Sequence, residues 1–487
     1  MEKRQATFTE AILGLFFMVF FVFVGYLVFG LRVELMMIAA ASFAGILAYR
    51  LGYSWHDMEQ AISNRITRAT PAILIIWVIG IVIATLIFSG SIPMLIYYGI
   101  KIVNPDYVLI SAFLICIVFS TVTGSSWASA GTAGVAFMGI ATALDVPLYL
   151  TAAAIICGAT FGDKLSPLSE STNLASACVG TNLYDHIKSL LWTTFPATLI
   201  AFFVFFIAGN NLNIESQGLS REALSLLVDL DNMFKWNIML LIPFVVILLG
   251  SITKKPPVPT MLLSCLSAII IGVAYQGFSL QDGVLSALRG FNSTMIPGIT
   301  SENLSKSTLT LLNRGGMVSM VGVVIIIYCG YAYAAIMSKA GFIETAIRPL
   351  SSRVKNRGPV MIVALFASLI LLVFSGTSYT VHIMIPEMFK KAFLKAGMGP
   401  LTLSRSIEDV GTMMAPLVPW GSSGAFYVST LGVTIFGAGG YALWTVTAYI
   451  TPIIAIIFAY TGIGIYKLSK EQIDEALVEY DNQQKAL

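Results

Sequence analysis

The chain has 487 residues, 57% hydrophobic and only 11% charged, with mean hydropathy +0.85 and a formal charge of +3. Soluble domains carry roughly 25% charged residues, so a soluble globular fold is excluded and an all-α polytopic membrane protein is expected. There is no GxxxxGK[ST] loop, no HExxH pair and no nucleic-acid-binding feature, which removes nucleotide-driven and zinc-hydrolase readings.

In chain order, Ala11 to Phe29 is long enough to span, and it outruns a signal-peptide core without a small-residue cleavage motif. Leu35 to Ala48 is a second apolar segment, flanked by Glu34 and Arg50. The polar stretch from Gly52 to Arg65 predicts an interfacial helix. Pro71 then opens the span Ala72 to Phe88, and Val108 to Val122 follows. That segment ends in Thr123-Gly124-Ser125-Ser126-Trp127. Ala128 to Ala143 is rich in small residues and reads as a re-entrant hairpin or a tightly packed inner helix. Leu190 to Ile207 closes a first half, residues 1–209. The five cysteines, Cys116, Cys157, Cys178, Cys265 and Cys329, lie in or beside apolar runs without CxxC spacing, as small buried side chains do.

Residues 210–232 form an acidic linker with a short surface helix around Arg221 to Val228, followed by a second half, 233–466, and a charged cytoplasmic tail, 467–487. The second half repeats the first in order. Gly277, Phe278, Ser279 and Asp282 fall on Gly52, Tyr53, Ser54 and Asp57 at an offset of 225, and Gly376-Thr377-Ser378 echoes Gly124-Ser125-Ser126. Lysine and arginine mark cytoplasmic loops. Lys3 and Arg4, then Arg50, Arg65 and Arg68, place the amino terminus inside. Lys254 and Lys255 follow the first helix of the second half, and Lys339 to Arg357 follow a later crossing pair. The halves thus enter from opposite faces as two inverted repeats, with roughly 10–12 membrane segments in all.

Gly158 to Ala175 interrupts this apolar pattern with Asp163, Lys164, Glu170 and several hydroxyls, bracketed by Gly162 and Pro167. Ionisable groups at membrane depth face a cavity, an ion or a partner, and broken helices persist there only when buried in protein or lining a polar cavity. Glu408-Asp409, followed by Ala415-Pro416-Leu417-Val418-Pro419-Trp420, gives the second half its own acid-then-proline pattern.

From Gly162 to Ala175 the chain resembles the NhaC-type antiporters of the ion transporter superfamily. The likeness extends to Gly124–Trp127, to Arg405–Thr412 and to Ala415–Trp420. It implies an exchanger of Na+ and H+, or one that couples these ions to a small carboxylate or amino acid, as malate/lactate exchangers do. It also implies two inverted repeats, each with a re-entrant hairpin and a discontinuous helix, suited to an elevator-type movement, with homodimerisation open. The plasma membrane is the expected location, and Lys467 and Lys470 put the carboxyl terminus, like the amino terminus, on the cytoplasmic side. Where the family often has Asp-Thr-Thr-Asn, this chain has Glu170-Ser171-Thr172-Asn173, and Gly421-Ser422 stands where Asn-Thr is frequent.

Sodium requires oxygen ligands, and Asp163, Ser166, Ser169, Thr172 and Asn173 supply them, with Thr123, Ser125 and Ser126 as complements. Glu408, Asp409 and Thr412 are the second-half counterparts. Burial favours the neutral form of a carboxylate, so one acid can hold either a proton or Na+, the simplest basis of antiport. Asp163 and Asp409 are assigned that role, with Na+ set against Asp163, Asn173 and Asp409. Each has a bland counterpart: Lys164 pairing with Glu170 or Asp409, Glu170 capping a half-helix, and Ser125 and Ser126 merely packing. His382 is a proton switch or a satisfied core histidine. Arg405 is a carboxylate clamp or a helix anchor. Trp127 and Trp420 flank substrate or form scaffold. No resident cofactor is expected. A channel is disfavoured because no repeated carbonyl filter motif is present, and Asp163 with Asp409 lacks any aspartyl-protease context.

Overall fold

The computed structural model describes residues 3–212, 221–352 and 354–486. Residues 213–220 of the acidic connector, including Glu215, and Arg353 of the basic cluster lie outside the described residues. The described chain is helical throughout, with a single isolated β-bridge between Met398 and Lys467. Eight of its helices are long and apolar enough to cross a membrane, or nine if a pair bent by 102° at Arg221–Met233 and Ile238–Ile252 is one span. Three shorter apolar helices, Phe8–Phe20, Ser91–Ile102 and Val446–Thr461, account for the higher number expected from sequence.

Two sequence expectations change, and one of two open alternatives is taken. The interfacial helix and the following span are one 34-residue helix, Trp55–Phe88, begun by a Ser54–Asp57 capping box and continued through Pro71. Proline removes one backbone donor inside a helix, yet the helix runs on past it for seventeen residues to Phe88. The small-residue stretch is a tightly packed inner helical run rather than a hairpin, Ser126–Ser129, Ala130–Gly134 and Val135–Ala143 in succession. It contains no turn residue in a left-handed conformation. Its glycines instead admit neighbours: a Cβ on Gly131 would lie 2.7 Å from Ile79, and one on Gly139 would lie 2.6 Å from Ile96. The linker helix runs further than expected, Arg221–Met233, because its apolar face, Ala223, Leu226, Leu227 and Leu230, is buried.

Helix stops recur at a fixed spacing. Gly124 and Gly376 end the helices Val108–Thr123 and Arg357–Ser375 with φ 67° and 69°, and Gly180 and Gly432 end Glu170–Val179 and Ser422–Leu431 with φ 79° and 73°. Both pairs are 252 positions apart, and glycine is the residue that takes this left-handed stop without strain. Ser125 and Thr377, each one residue later, cap the next helix. Earlier in the halves, Gly52 with Gly277 (φ 90° and 83°) are 225 apart and Gly90 with Gly341 (86° and 72°) are 251 apart. The second half therefore carries extra chain between Gly277 and Gly341, and 290–320 folds there into short turns and a seven-residue helix.

The halves interlock. Glu170–Val179 packs on Ser378–Lys395 and Pro400–Gly411, while Ser422–Leu431 packs on the 126–143 run. Two large apolar cores result. One centres on Ile76–Phe88, Val108–Cys116 and Ala152–Ala159, the other on Met37–Leu51, Tyr333–Ile347 and Val360–Leu372.

Candidate functional site

The break after Leu148–Leu165 follows from its sequence. Ser166 has extended backbone (φ −83°, ψ 131°), Pro167 cannot continue a helix, and Ser169 caps Glu170–Val179 by accepting from the Thr172 amide. Before the break, the helix lies hard against Val108–Thr123. A Cβ on Gly158 would sit 2.2 Å from the Phe113 carbonyl oxygen, and one on Gly162 would sit 2.5 Å from that of Ile117. Only glycine permits this approach. It aims the last turn, with Asp163 and Lys164, at different targets.

Asp163 faces a cavity of about 590 Å³. Its Oδ2 accepts from the Ser126 amide at 3.2 Å, at the start of the 126–143 run, where helix N-termini favour negative charge. Of the residues predicted from sequence, Thr123, Gly124, Ser125, Ser126, Trp127, Asp163, Glu170, Asn173, Ser378 and Thr412 line this cavity. Glu170 is exposed to it and accepts from the Tyr379 hydroxyl at 2.9 Å. Asn173 donates its amide to the Pro167 and Ser169 carbonyls (2.9 and 2.7 Å), leaving its side-chain oxygen free of these bonds. Lys254, Lys255 and Tyr184 also line the cavity.

Lys164 turns the other way. Its Nζ lies 2.7 Å from Asp409 Oδ1, both side chains being fully buried, and Thr193 donates to the same oxygen at 2.8 Å. Of the two pairings open to Lys164 in the sequence, the structure has Asp409. The sodium set of Asp163, Asn173 and Asp409 is thus not brought together: Asp409 stands behind the cavity wall, because its own helix, Pro400–Gly411, is buried throughout its last ten residues. Glu408 is buried beside it and accepts from the Thr412 hydroxyl, and His382 Nε2 stands 3.4 Å from that hydroxyl. Arg405 is also buried and donates to the Gly464 and Ser189 carbonyls (2.8 and 3.4 Å), facing backbone rather than the cavity.

The remaining predicted residues hold the frame. Ser166 Oγ accepts from the Leu168 amide at 3.2 Å, and Thr172 donates to the Lys164 carbonyl at 3.0 Å across the break. Gly376 accepts from the Ser422 amide at 3.0 Å, Thr377 caps its helix, and Trp420 donates to the Val373 carbonyl at 2.6 Å. Trp127 stacks on Phe426 at 5.0 Å between ring centres, joining the two halves over the cavity.

Besides Lys254, Lys255 and Tyr184, sequence reasoning missed four participants. Tyr379 and Tyr427 reach the cavity from the second half, and Thr193 and His186, the latter 2.9 Å from Ser404, extend the buried network. Only Tyr379 carried a signal, since it follows the Gly376-Thr377-Ser378 echo.

Fold and site together define an integral membrane protein whose broken helix delivers an acid to an oxygen-lined cavity between two interlocked halves. A model of the Na+/H+ antiporter family matches residues 158–463. The chain is 40% identical to an uncharacterized Na(+)/H(+) antiporter of Haemophilus influenzae, covering 96% of this chain and 99% of that protein. It is 31% identical to the Na(+)/H(+) antiporter NhaC of Alkalihalophilus pseudofirmus (96% and 98% covered). It is equally 31% identical to the malate-2H(+)/Na(+)-lactate antiporter of Bacillus subtilis (95% and 96%). The chain belongs to the Na+/H+ antiporter family.

Proposed function

We propose that the protein is a secondary antiporter exchanging Na+ for H+ across the plasma membrane, with Asp163 as the acid both cations share. One observation carries this reading. Asp163 and Glu170 face the cavity with no ion-pair partner among the described residues, while the nearby ammonium of Lys164 is committed to Asp409. Lys254 and Lys255 also line the cavity, but neither forms an ion pair with Asp163 or Glu170, so a small cation beside these carboxylates offsets the cost of unpaired charge at membrane depth. Na+ meets that need with carboxylate, hydroxyl, amide and backbone oxygens, and a proton on Asp163 meets it when Na+ leaves. The Ser126 amide holds the carboxylate in place in either state.

Alternating access between two inverted halves is supported by the recurring helix stops and by the exchange of short helices between halves. Both termini are assigned to the cytoplasm from Lys3 and Arg4 at one end and Lys467 and Lys470 at the other. The protein acts by transport, not by bond chemistry.

A second reading, exchange of a small organic anion coupled to Na+ and H+, is favoured by the size of the cavity. About 590 Å³ far exceeds what one ion needs and lies in the range of small-molecule sites. The deciding experiment reconstitutes the protein in liposomes with a pH-sensitive dye inside and an imposed Na+ gradient. Proton movement driven by Na+ alone, lost in Asp163→Asn, supports plain cation exchange. Protons that move only once malate, lactate or an amino acid is added would replace it with the coupled reading.

A further inference from the structure

A second cavity, of about 520 Å³, lies away from the first and is built largely from the extra chain of the second half. We propose that it is a binding site for a small oxyanion, a carboxylate or phosphate, held by Arg289 and Arg314 with the amides of Asn292 and Asn313.

The argument is a census of donors and acceptors. Asn313 spends its side-chain oxygen on the Ser293 amide at 2.7 Å. Asn292 spends its own on the Thr294 amide and hydroxyl, at 3.0 and 2.8 Å. Each asparagine therefore offers the cavity its NH2 group, which can only donate. Arg314 is fixed by one bond from Nη2 to the Thr430 carbonyl at 2.7 Å, and neither it nor Arg289 has an ion-pair partner among the described residues. No aspartate or glutamate lines the cavity. Ser319 gives its single hydroxyl proton to the Gly316 carbonyl and so adds no donor to the cavity. A pocket with two guanidinium groups, two amides and no acid is complementary to oxygen-bearing anions, which arginine binds in a planar two-point geometry.

The backbone makes the site a built one. The Phe291 amide donates to the Arg314 carbonyl at 3.1 Å, tying the two arginine-bearing segments together. Gly316 donates to the Gly80 carbonyl at 2.7 Å, and a Cβ on Gly315 would sit 2.7 Å from the Ala84 amide nitrogen, so the segment is seated directly on the Trp55–Phe88 helix. Ser429 and Thr430, at the far end of Ser422–Leu431, complete the wall, while Ser422 and Ser423 at its near end line the first cavity. One ten-residue helix thus touches both sites.

The test uses the full-length protein in lipid nanodiscs, titrated by calorimetry with lactate, malate, inorganic phosphate and chloride, without a Na+ gradient. Saturable binding of an oxyanion is expected, weakened at least roughly tenfold in Arg289→Gln, the loss expected for one charge-assisted contact. Arg289 is exposed, so this variant folds, and Asp163→Asn should bind the anion as the parent does. A preference for lactate or malate identifies a carboxylate site, and a preference for phosphate identifies a phosphate site. Equal binding of chloride, no saturable binding, or binding unchanged in Arg289→Gln would each overturn the proposal. Anion binding lost in Asp163→Asn would place the ligand in the first cavity and overturn it too.

Discussion

The buried pair between Lys164 and Asp409 lends itself to a double-mutant cycle. At 2.7 Å and with both side chains fully buried, the Coulomb attraction is about 6 kcal/mol at an effective dielectric near 20. Desolvation of the two charges offsets most of it, so the net worth of the pair against an apolar replacement is close to zero. Breaking it from one side is another matter. Lys164→Met leaves Asp409 with only the Thr193 hydroxyl on Oδ1, and its Oδ2 already lacks a hydrogen-bond partner. The expected loss is about 3–5 kcal/mol, and Asp409→Leu should cost a similar amount by stranding the ammonium. The double variant Lys164→Met/Asp409→Leu should recover most of that loss. Reversible unfolding in mixed micelles, or steric trapping in bicelles, reads these differences directly. If the double variant loses the sum of the two single losses, the residues do not act as a pair and the account of the network fails.

Other expectations concern the cavity and its support. Gly158→Ala places a Cβ against the Phe113 carbonyl and should destabilise by about 1–3 kcal/mol through overpacking. Gly322→Ala, with open space around it, should be neutral or slightly stabilising; thermal unfolding of the two side by side checks this. Glu170→Gln should raise the half-saturating Na+ concentration about tenfold in the liposome assay while the protein keeps its fold, because the residue is exposed. Tyr379→Phe removes a hydrogen-bond donor that competes with Na+ for Glu170, and should lower the same quantity by a few fold.

Much of this was legible in the sequence. Composition set the class, and the interruption at Gly162 to Asn173 pointed to the helix break because glycine, proline and charge are each expensive in an apolar helix. Two of the glycine stops, Gly124 with Gly376 and Gly52 with Gly277, were visible as echoes, since left-handed stops restrict residue choice more than helix interiors do; Gly180 with Gly432 and Gly90 with Gly341 emerged only from the backbone. Three-dimensional assignments were less accessible. Nothing local distinguishes Asp163, which meets the cavity, from Asp409, which meets Lys164; the choice depends on which face Pro400–Gly411 presents to the other half. Arg405 read as clamp or anchor until its carbonyl partners, Ser189 and Gly464, were in view. Tyr427 gave no sign at all, being one aromatic in an apolar run. The second cavity was hidden because its donors come from connecting turns whose residue types are ordinary in loops.

The close approach at Gly158 and Gly162 has a mechanical consequence. With carbonyl oxygens of Val108–Thr123 seated directly over those glycines, there is no layer of flexible side chains between the two backbones to shear. Such interfaces resist sliding, since any axial step drives a backbone oxygen into a neighbouring Cβ. In the alternating-access cycle proposed above, Asp163 travels with this stiff two-helix plank. The displacement is then taken up at the softer contacts around the plank, the Ser126 amide that holds the carboxylate among them.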